Sequence, residues 1–371
     1  MCKMNLSLEK EKQIQSYFDE TSFHKIIRSP KFFRYRNNTN FSFGLDRFGK
    51  ISIGPMQKDK TVLPAILNKL CSDISVNICE FMVRWIIGFS SLKIVDYDKS
   101  HVNGFWRHIT IRNNTKNDIM IVFHIQNMST FKSIWDLEKE ILVKDLKKFI
   151  EVMGYKLSSL YYQNSDTLKE TRNTDPFIPF YIISDYLEYL DKYKFIISPG
   201  SFFQVNTDTA EIIYKKILEL SLINKKKIIL DICCGTSTIG IFLSSSCKHV
   251  YGIDINLSSI LDGKKNLKLN NITNITLVCG KAEEEVPKIL NHIDTDVVAV
   301  VNPPRSGLHP DVLQCLKKNN IDQIIYLSCN IETLNRDLKL LSNYVVNYVV
   351  PIDQFPETKH CEILVRLNKC N

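Results

Sequence analysis

No stretch of this 371-residue chain is apolar for long enough to cross a bilayer. The best run, Phe81 to Phe89, is broken by Arg84 and is too short. A signal-peptide core is lacking too: Met1-Cys2-Lys3-Met4-Asn5-Leu6 leads straight into Glu9-Lys10-Glu11-Lys12. Nor is there an Arg/Ser-rich, acid-poor transit helix. The expectation is a cytoplasmic or nuclear protein with no membrane association, a cryptic mitochondrial signal being left open. Cysteines number eleven, yet they lack partners at chelating distance: Cys2, Cys71 and Cys79 stand apart, and the adjacent Cys233-Cys234 suit neither a metal nor an ordinary disulfide. That excludes zinc fingers and iron–sulfur spacing, and an odd number of scattered thiols fits a reducing compartment. Internal repeats and low-complexity tracts are absent as well.

What is present is a globular composition, 44% hydrophobic and 24% charged, with a formal charge of +8. The excess of lysine and arginine modestly favours a polyanionic partner such as RNA. Length allows two domains, and the two halves follow different patterns. From about residue 190 onward, short apolar runs alternate with helical stretches. Residues 227–230, 250–253, 275–278, 297–301 and 323–327 are near-continuous apolar segments of the kind buried on both faces of a parallel sheet. Between them, residues 258–270 and 310–319 have helical periodicity, which predicts an open, doubly wound α/β sheet. The first half predicts an α+β arrangement: a hairpin-like stretch over residues 35–54, strands over 106–112 and 119–126, and an amphipathic helix over 135–153. Its interleaved basic and aromatic residues could stack on bases and neutralise phosphate, or simply form the core of a mixed sheet. The boundary is expected between residues 193 and 194.

The tips of the predicted parallel strands carry the chemistry. The first runs into Asp231-Ile232-Cys233-Cys234-Gly235-Thr236-Ser237-Thr238-Ile239-Gly240 and then a helix, a turn that brings backbone N–H groups close to a ligand. It lacks the three glycines of a dinucleotide fingerprint. The second strand ends on Asp254, where a carboxylate can accept from both ribose hydroxyls of an adenosine. After the third comes Gly280-Lys281-Ala282-Glu283. Acids at three successive tips, without a phosphate-cradling glycine loop, favour an adenosine-containing methyl donor over NAD. The fourth strand leads into Asn302-Pro303-Pro304-Arg305-Ser306-Gly307-Leu308, in which two prolines stiffen the exit. The fifth delivers Ser328-Cys329-Asn330 just before a helix, whose N-terminus is expected to lower the thiol toward its thiolate. For any one of eleven thiols the competing reading is a buried structural cysteine, but this one falls where a substrate must approach. Close to the end, His360-Cys361-Glu362 opens a last strand, and Glu362 can serve as a general base if partly desolvated.

These residues resemble the RNA (uracil-5-)-methyltransferase family, through five ordered motifs: Phe202-Phe203-Gln204-Val205-Asn206, the 231–240 turn, the 302–308 loop, Ser328-Cys329-Asn330 and His360-Cys361-Glu362. Residues 35–44 and 105–112 extend the likeness toward the animal-type tRNA (uracil-5-)-methyltransferases. The resemblance implies a Rossmann-like class I methyltransferase sheet over residues 194–371 and an RNA-facing α+β domain over 1–193. It implies S-adenosyl-L-methionine as cofactor, held by Gln204, Cys233, Thr238, Asp254 and Asn302. It further implies catalysis by Cys329 as nucleophile on uracil carbon 6 and by Glu362 as base, with Arg305 orienting the base or the RNA backbone. The implied partner is tRNA at its T-loop uridine, with ribosomal RNA as the other RNA the family modifies, and a monomeric enzyme is expected. Two residues depart from the family pattern: Asn302 stands where many members have Asp, and Ser237 where they have Gly. The iron–sulfur cysteines and N-terminal RNA-binding module of some relatives are missing. The readings left standing beside the uridine enzyme are a non-catalytic tRNA-binding or folding factor, and an RNA cytosine-5-methyltransferase, which would want a thiol in the Asn302–Arg305 stretch.

Overall fold

The computed structural model describes residues 3–94, 104–126, 128–164, 175–319 and 321–370. The chain divides into two units, one of Phe33–Glu188 with Ile197–Gly200, the other of Met1–Phe32, Tyr189–Ile196 and Ser201–Asn371. The expected single cut at 193/194 is therefore corrected at the N-terminus. Helix α1 (Lys3–Gln15) folds with the C-terminal half. Lys10 Nζ lies 2.6 Å from Asp353 Oδ1, with both side chains almost wholly buried, and Ser7 Oγ donates to Asp353 Oδ2 at 2.8 Å. Farther on, Phe23 and Ile27 bridge in parallel to Val349 and Ile352. A local pattern cannot announce a partner more than three hundred residues away.

The unit built from residues 33–188 holds β1 (Asn38–Leu45), β2 (Ile51–Gly54), α2 (Asp73–Gly88), β3 (Trp106–Asn113), β4 (Asp118–Ile125), α3 (Met128–Val152), β5 (Lys156–Asn164) and β6 (Ile178–Ile182). The strands form one sheet in the order β2-β1-β3-β4-β5-β6. All its pairings are antiparallel except β4 with β5, which are joined by α3 as a parallel pair requires a long crossover. Helix α2 starts where Ser72 Oγ accepts from Ser75 N–H. Its buried face supplies Met82, Trp85 and Ile86 to a core with Phe41, Phe43, Phe105, Trp106, Phe123 and Trp135. The aromatic–basic interleaving read from the sequence is thus the period-two alternation of strands. Those aromatics point into the core and cannot stack on bases, and Arg107 and Arg112 are buried as well.

Histidines occupy the other face of this sheet. His108 Nδ1 is 3.1 Å from Ser42 Oγ, and His124 lies 2.9 Å from both Thr110 Oγ1 and Gln163 Oε1. Burial pushes His108 down to about 3, helped by His124, and burial pushes His124 down to about 4. Both rings are therefore neutral in the fold and take up protons only on unfolding. Their stabilisation is complete above the unfolded value near 6.5 and is lost as pH falls below it. Glu188 acts the other way: burial raises it to about 8, so its protonated form favours the fold as pH falls from about 8 to 4.5. Below pH 6.5 two histidines outweigh one glutamate, leaving about one net proton taken up on unfolding and a loss of ~1.4 kcal/mol per pH unit. All three tryptophans, Trp85, Trp106 and Trp135, lie in this unit, so their fluorescence in urea titrations reports it alone. His124→Gln is expected to flatten the dependence between pH 6 and 4.5 by about one proton; an unchanged slope would place the acid sensitivity elsewhere.

A short two-stranded sheet, β7 (Leu187–Leu190) with β8 (Tyr193–Ile196), precedes α4 (Thr207–Ser221). Then come β9 (Ile228–Ile232), α5 (Thr238–Ser244), β10 (His249–Asp254), α6 (Leu257–Leu269), β11 (Ile275–Cys279), α7 (Ala282–Leu290), β12 (Val297–Val301), α8 (Pro310–Lys318), β13 (Gln323–Ser328), α9 (Ile331–Leu340), β14 (Tyr344–Ile352) and β15 (Glu362–Lys369). The seven strands β9 to β15 form a sheet in the order β11-β10-β9-β12-β13-β15-β14. From β11 through β13 every pairing is parallel, and β15 enters antiparallel. The five expected parallel strands are all present within two residues of their predicted ends. Strand order reverses between β9 and β12, and at such a switch point the carboxyl ends of the strands leave a crevice for a ligand. Among the described residues no helix is long and apolar enough to cross a membrane.

Candidate active site

Every motif of the C-terminal half arrives at that one edge. β9 ends at Ile232, and the turn that follows is tightly wound, with Cys233 at φ 61°, Gly235 at 55° and Ser237 at 61°. A side chain in the left-handed region costs on the order of 1 kcal/mol, and here two non-glycine residues adopt it. Ser237 precedes α5 without capping it, and its buried Oγ has no hydrogen-bond partner. The turn is held from beneath and from beside. Asp231 Oδ2 accepts from Gly240 N–H at 3.0 Å, and Asp254 Oδ2 accepts from Gly235 N–H at 2.9 Å. Asp254 Oδ1 takes Asn256 N–H at 2.8 Å. Asp231 is wholly buried, which raises it to about 7. Of the three strand-tip acids, this first one is consequently a support of the turn and not a ligand group.

The other two acids face a cleft of about 770 Å³. One wall is Cys233, Asp254, Ile255 and Gly280 to Glu283; the opposite wall is Pro304 with Ser306 to Val312, and Arg336. Of the five residues expected around a cofactor, Cys233 and Asp254 line this cleft. Burial pushes the Cys233 thiol up to about 12, so it is neutral there. Thr238 instead shares a 3.1 Å hydrogen bond with the buried Tyr214 hydroxyl. Gln204 is buried, its Oε1 accepting from Gln354 Nε2 at 3.2 Å. Asn302 leaves β12 with its N–H directed at Ile232 O, 3.3 Å away. Glu283, His309 and Asp311 bring potential ligand atoms within 4.8 Å of one another, but His309 and Asp311 are exposed, and His309 Nδ1 already accepts from Asp311 N–H at 3.3 Å as the cap of α8.

Cys329 lies in a second, smaller pocket of about 330 Å³, together with Arg305, Asn330, Glu332, Lys359, His360 and, from α1, Lys10 and Gln13. The register explains its surroundings. Ser328 of β13 pairs with Ile363 of β15 as the last rung of an antiparallel ladder, so the residues next beyond it, Cys329 and Glu362, leave the sheet at the same edge, and the Glu362 carboxylate acts on the thiol. Burial raises the Cys329 thiol, and the Glu362 carboxylate raises it further, while the Arg305 guanidinium, which also bonds to it, opposes both. The expected lowering by the α9 N-terminus is corrected: Asn330 Oδ1 already caps that helix by accepting Glu332 N–H at 3.0 Å, and burial, followed by the Glu362 carboxylate, raises the thiol instead. Glu362 is only 5% exposed, and burial raises it to about 7 against the pull of Arg305. A thiol, a carboxylate near neutrality and a guanidinium thus meet beside an adenosine-sized cleft. That set can form and break a bond to an electrophilic carbon and move one proton.

Several contributors were not read from the sequence. Lys10 and Gln13 lie at the far end of the chain, Tyr214 sits in a helix that carried no motif, and Arg336 and Asp337 look like ordinary surface charges of α9.

Comparison with known proteins bears on this edge. Residues 183–370 match the family model described as tRNA (uracil-5-)-methyltransferase. The chain is 31% identical over 373 residues to tRNA (uracil-5-)-methyltransferase homolog B of Pongo abelii, covering 92% of this chain and 74% of that protein. It is 32% identical over 340 residues to an uncharacterized RNA methyltransferase of Clostridium acetobutylicum, covering 90% and 71%. In fold it is similar to the Pyrococcus abyssi tRNA (uracil-54, C5)-methyltransferase solved with S-adenosyl-L-homocysteine, with TM-score 0.76 and 23% identity over 98% of this chain and 83% of that one. This chain is a methyltransferase and belongs to the tRNA (uracil-5-)-methyltransferase family.

Proposed function

We propose that the chain methylates carbon 5 of the T-loop uridine of tRNA, through a transient bond between Cys329 Sγ and carbon 6 of the uracil. The observation that carries this reading is the meeting of Cys329 and Glu362 just past the last rung of β13 and β15, with the Glu362 carboxylate and the Arg305 guanidinium both acting on the thiol. S-adenosylmethionine supplies an electrophilic methyl group when bound. The cleft suits its nucleoside: Asp254 keeps free lone pairs beyond its two backbone bonds, and Gly280 to Glu283 offer polar groups beside it.

Carbon 5 of uracil is a weak nucleophile. Attack of the Cys329 thiolate on carbon 6 moves the electron pair of the C5–C6 bond toward the carbonyl, giving an enolate whose carbon 5 can take a methyl. Arg305 favours the thiolate in that first step. Afterwards carbon 5 carries both a methyl and a hydrogen. Glu362 removes that proton, the pair re-forms the C5–C6 double bond, and the Cys329 thiolate leaves. Near neutral pH a carboxylate raised to about 7 can both accept this proton and lose it again.

The test incubates the protein with radiolabelled S-adenosylmethionine and three RNAs: a tRNA transcript, the same transcript with its T-loop uridine replaced by cytidine, and a ribosomal RNA fragment. Label released as 5-methyluridine from the first alone is the expected result. Label on the substituted transcript would move the target to another uridine, and label on the ribosomal fragment alone would replace tRNA as the substrate.

A further inference from the structure

One loop separates the two cavities. Pro304, Ser306, Gly307 and Leu308 line the larger cleft, whereas Arg305, in their midst, lines the pocket of Cys329. The loop is gripped by two adjacent residues of α9. Asp337 is fully buried: its Oδ2 accepts from Leu308 N–H at 2.9 Å and from the Tyr326 hydroxyl at 2.6 Å, and its Oδ1 accepts from Arg336 Nε and NH2 at 2.8 and 2.6 Å. The same Arg336 NH2 donates to Ser306 O at 3.0 Å and Leu308 O at 3.3 Å. On its other side, Arg305 O accepts from Asn330 Nδ2 and Thr333 Oγ1, each at 3.3 Å. Gly307 between these anchors has φ 77°, and a Cβ there would lie 2.5 Å from Arg336 and 2.7 Å from Asp337. The loop therefore packs against the pair without clearance.

A buried carboxylate is costly to desolvate, and a fold built for stability alone could fill the space with apolar atoms. Here the charge fixes the backbone that follows Arg305, while Asn330 and Thr333 hold the Arg305 carbonyl itself. We propose that Arg336 and Asp337 are positioning residues, holding the Ser306–Leu308 backbone so that Arg305 stays against Cys329. The inference rests on the reading of Cys329 as the nucleophile, but its test does not need turnover.

The full chain is treated with iodoacetamide from pH 6 to 10, and alkylation of the Cys329 peptide is followed by mass spectrometry. Arg305→Gln is expected to move the midpoint upward and slow alkylation at pH 7.5 about tenfold, one unit of thiol ionisation. Arg336→Gln should reproduce most of that slowing when alkylation is read well below a thermal midpoint that itself falls, because the buried Asp337 loses its charge partner. In the Arg305→Gln background the Arg336→Gln change should add nothing, since the two act through one guanidinium. Asp337→Asn, which keeps an acceptor for Leu308 N–H but loses its charge partner, should fall between wild type and Arg336→Gln. A wild-type profile in Arg336→Gln overturns the proposal, and so does a double variant slowed by the product of the two single effects. Failure of the nucleophile assignment would look different: the alkylation pattern would hold while methylation survived loss of the thiol.

Discussion

Cys329→Ala is expected to abolish both product formation and the covalent complex with RNA. With 5-fluorouridine at the target position, the methylated adduct carries fluorine where the departing proton should be, so the enzyme stays attached. Wild type should then migrate with the RNA on a denaturing gel, and Cys329→Ala should not. Turnover on ordinary tRNA should fall by on the order of 10⁴-fold or more, the scale seen when a covalent nucleophile is removed from a preorganised site. The fold should tolerate the change, because the thiol is half-buried at a strand tip and is not part of the apolar core. Cys233 is a control with the opposite expectation. Its thiol lies on the wall of the larger cleft, is pushed up to about 12, and faces Asp254 and Asp231 with no cation among the groups acting on it. Cys233→Ala should retain the adduct. An adduct that persists in Cys329→Ala and disappears in Cys233→Ala would reverse the assignment.

Much of this site could be read from the sequence because parallel strands buried on both faces leave long apolar runs, and their tips follow from where each run ends. The strand-tip positions of Asp254, Asn302 and Cys329 follow in that way. What stayed hidden depends on pairing. β15 runs antiparallel into the sheet, and only its register with β13, ending at Ser328 and Ile363, brings Glu362 to the edge where Cys329 lies. Without that neighbour the α9 N-terminus seemed to dominate the thiol, and the direction of its shift was misjudged. The place of α1 was hidden for the same reason, since a buried lysine pairing with Asp353 looks, in sequence, like one charge in a solvated helix. The aromatics of β1, β3 and β4 show the reverse: a strand's alternation reads as a base-binding surface until the burial of Phe41, Phe43, Trp106 and Phe123 is visible. Asp337 had no local signal at all. Its role exists only because Gly307 and Leu308 come back to it.

Glu362→Gln should separate the two halves of the reaction. Methyl transfer needs the thiolate, whereas release needs a base, so the variant is expected to methylate one equivalent of tRNA and remain attached to it. Multiple turnover should fall by about 10² to 10⁴-fold, the usual contribution of a positioned base. A burst of one labelled methyl per enzyme, with the label migrating as protein–RNA complex, is the signature. The thiol should change as well. After burial, the Glu362 carboxylate is the next cause of the raised Cys329 ionisation, so replacing it with an uncharged amide should make Cys329 alkylate faster than wild type at neutral pH. Damage to the fold would also expose the thiol, but it would abolish the burst, so a full burst together with faster alkylation is the combination that marks loss of the base alone. The wild-type pH profile carries the same sign. Glu362 is raised to about 7, so its base form is lost as pH falls through that value, and Cys329 needs still higher pH to ionise. Single-turnover adduct breakdown should therefore rise through pH 7 and level off above it in wild type, and be flat in Glu362→Gln. A Glu362→Gln enzyme that turns over normally would move the base to another group, and His360, in the same pocket as Cys329, would be the next to replace.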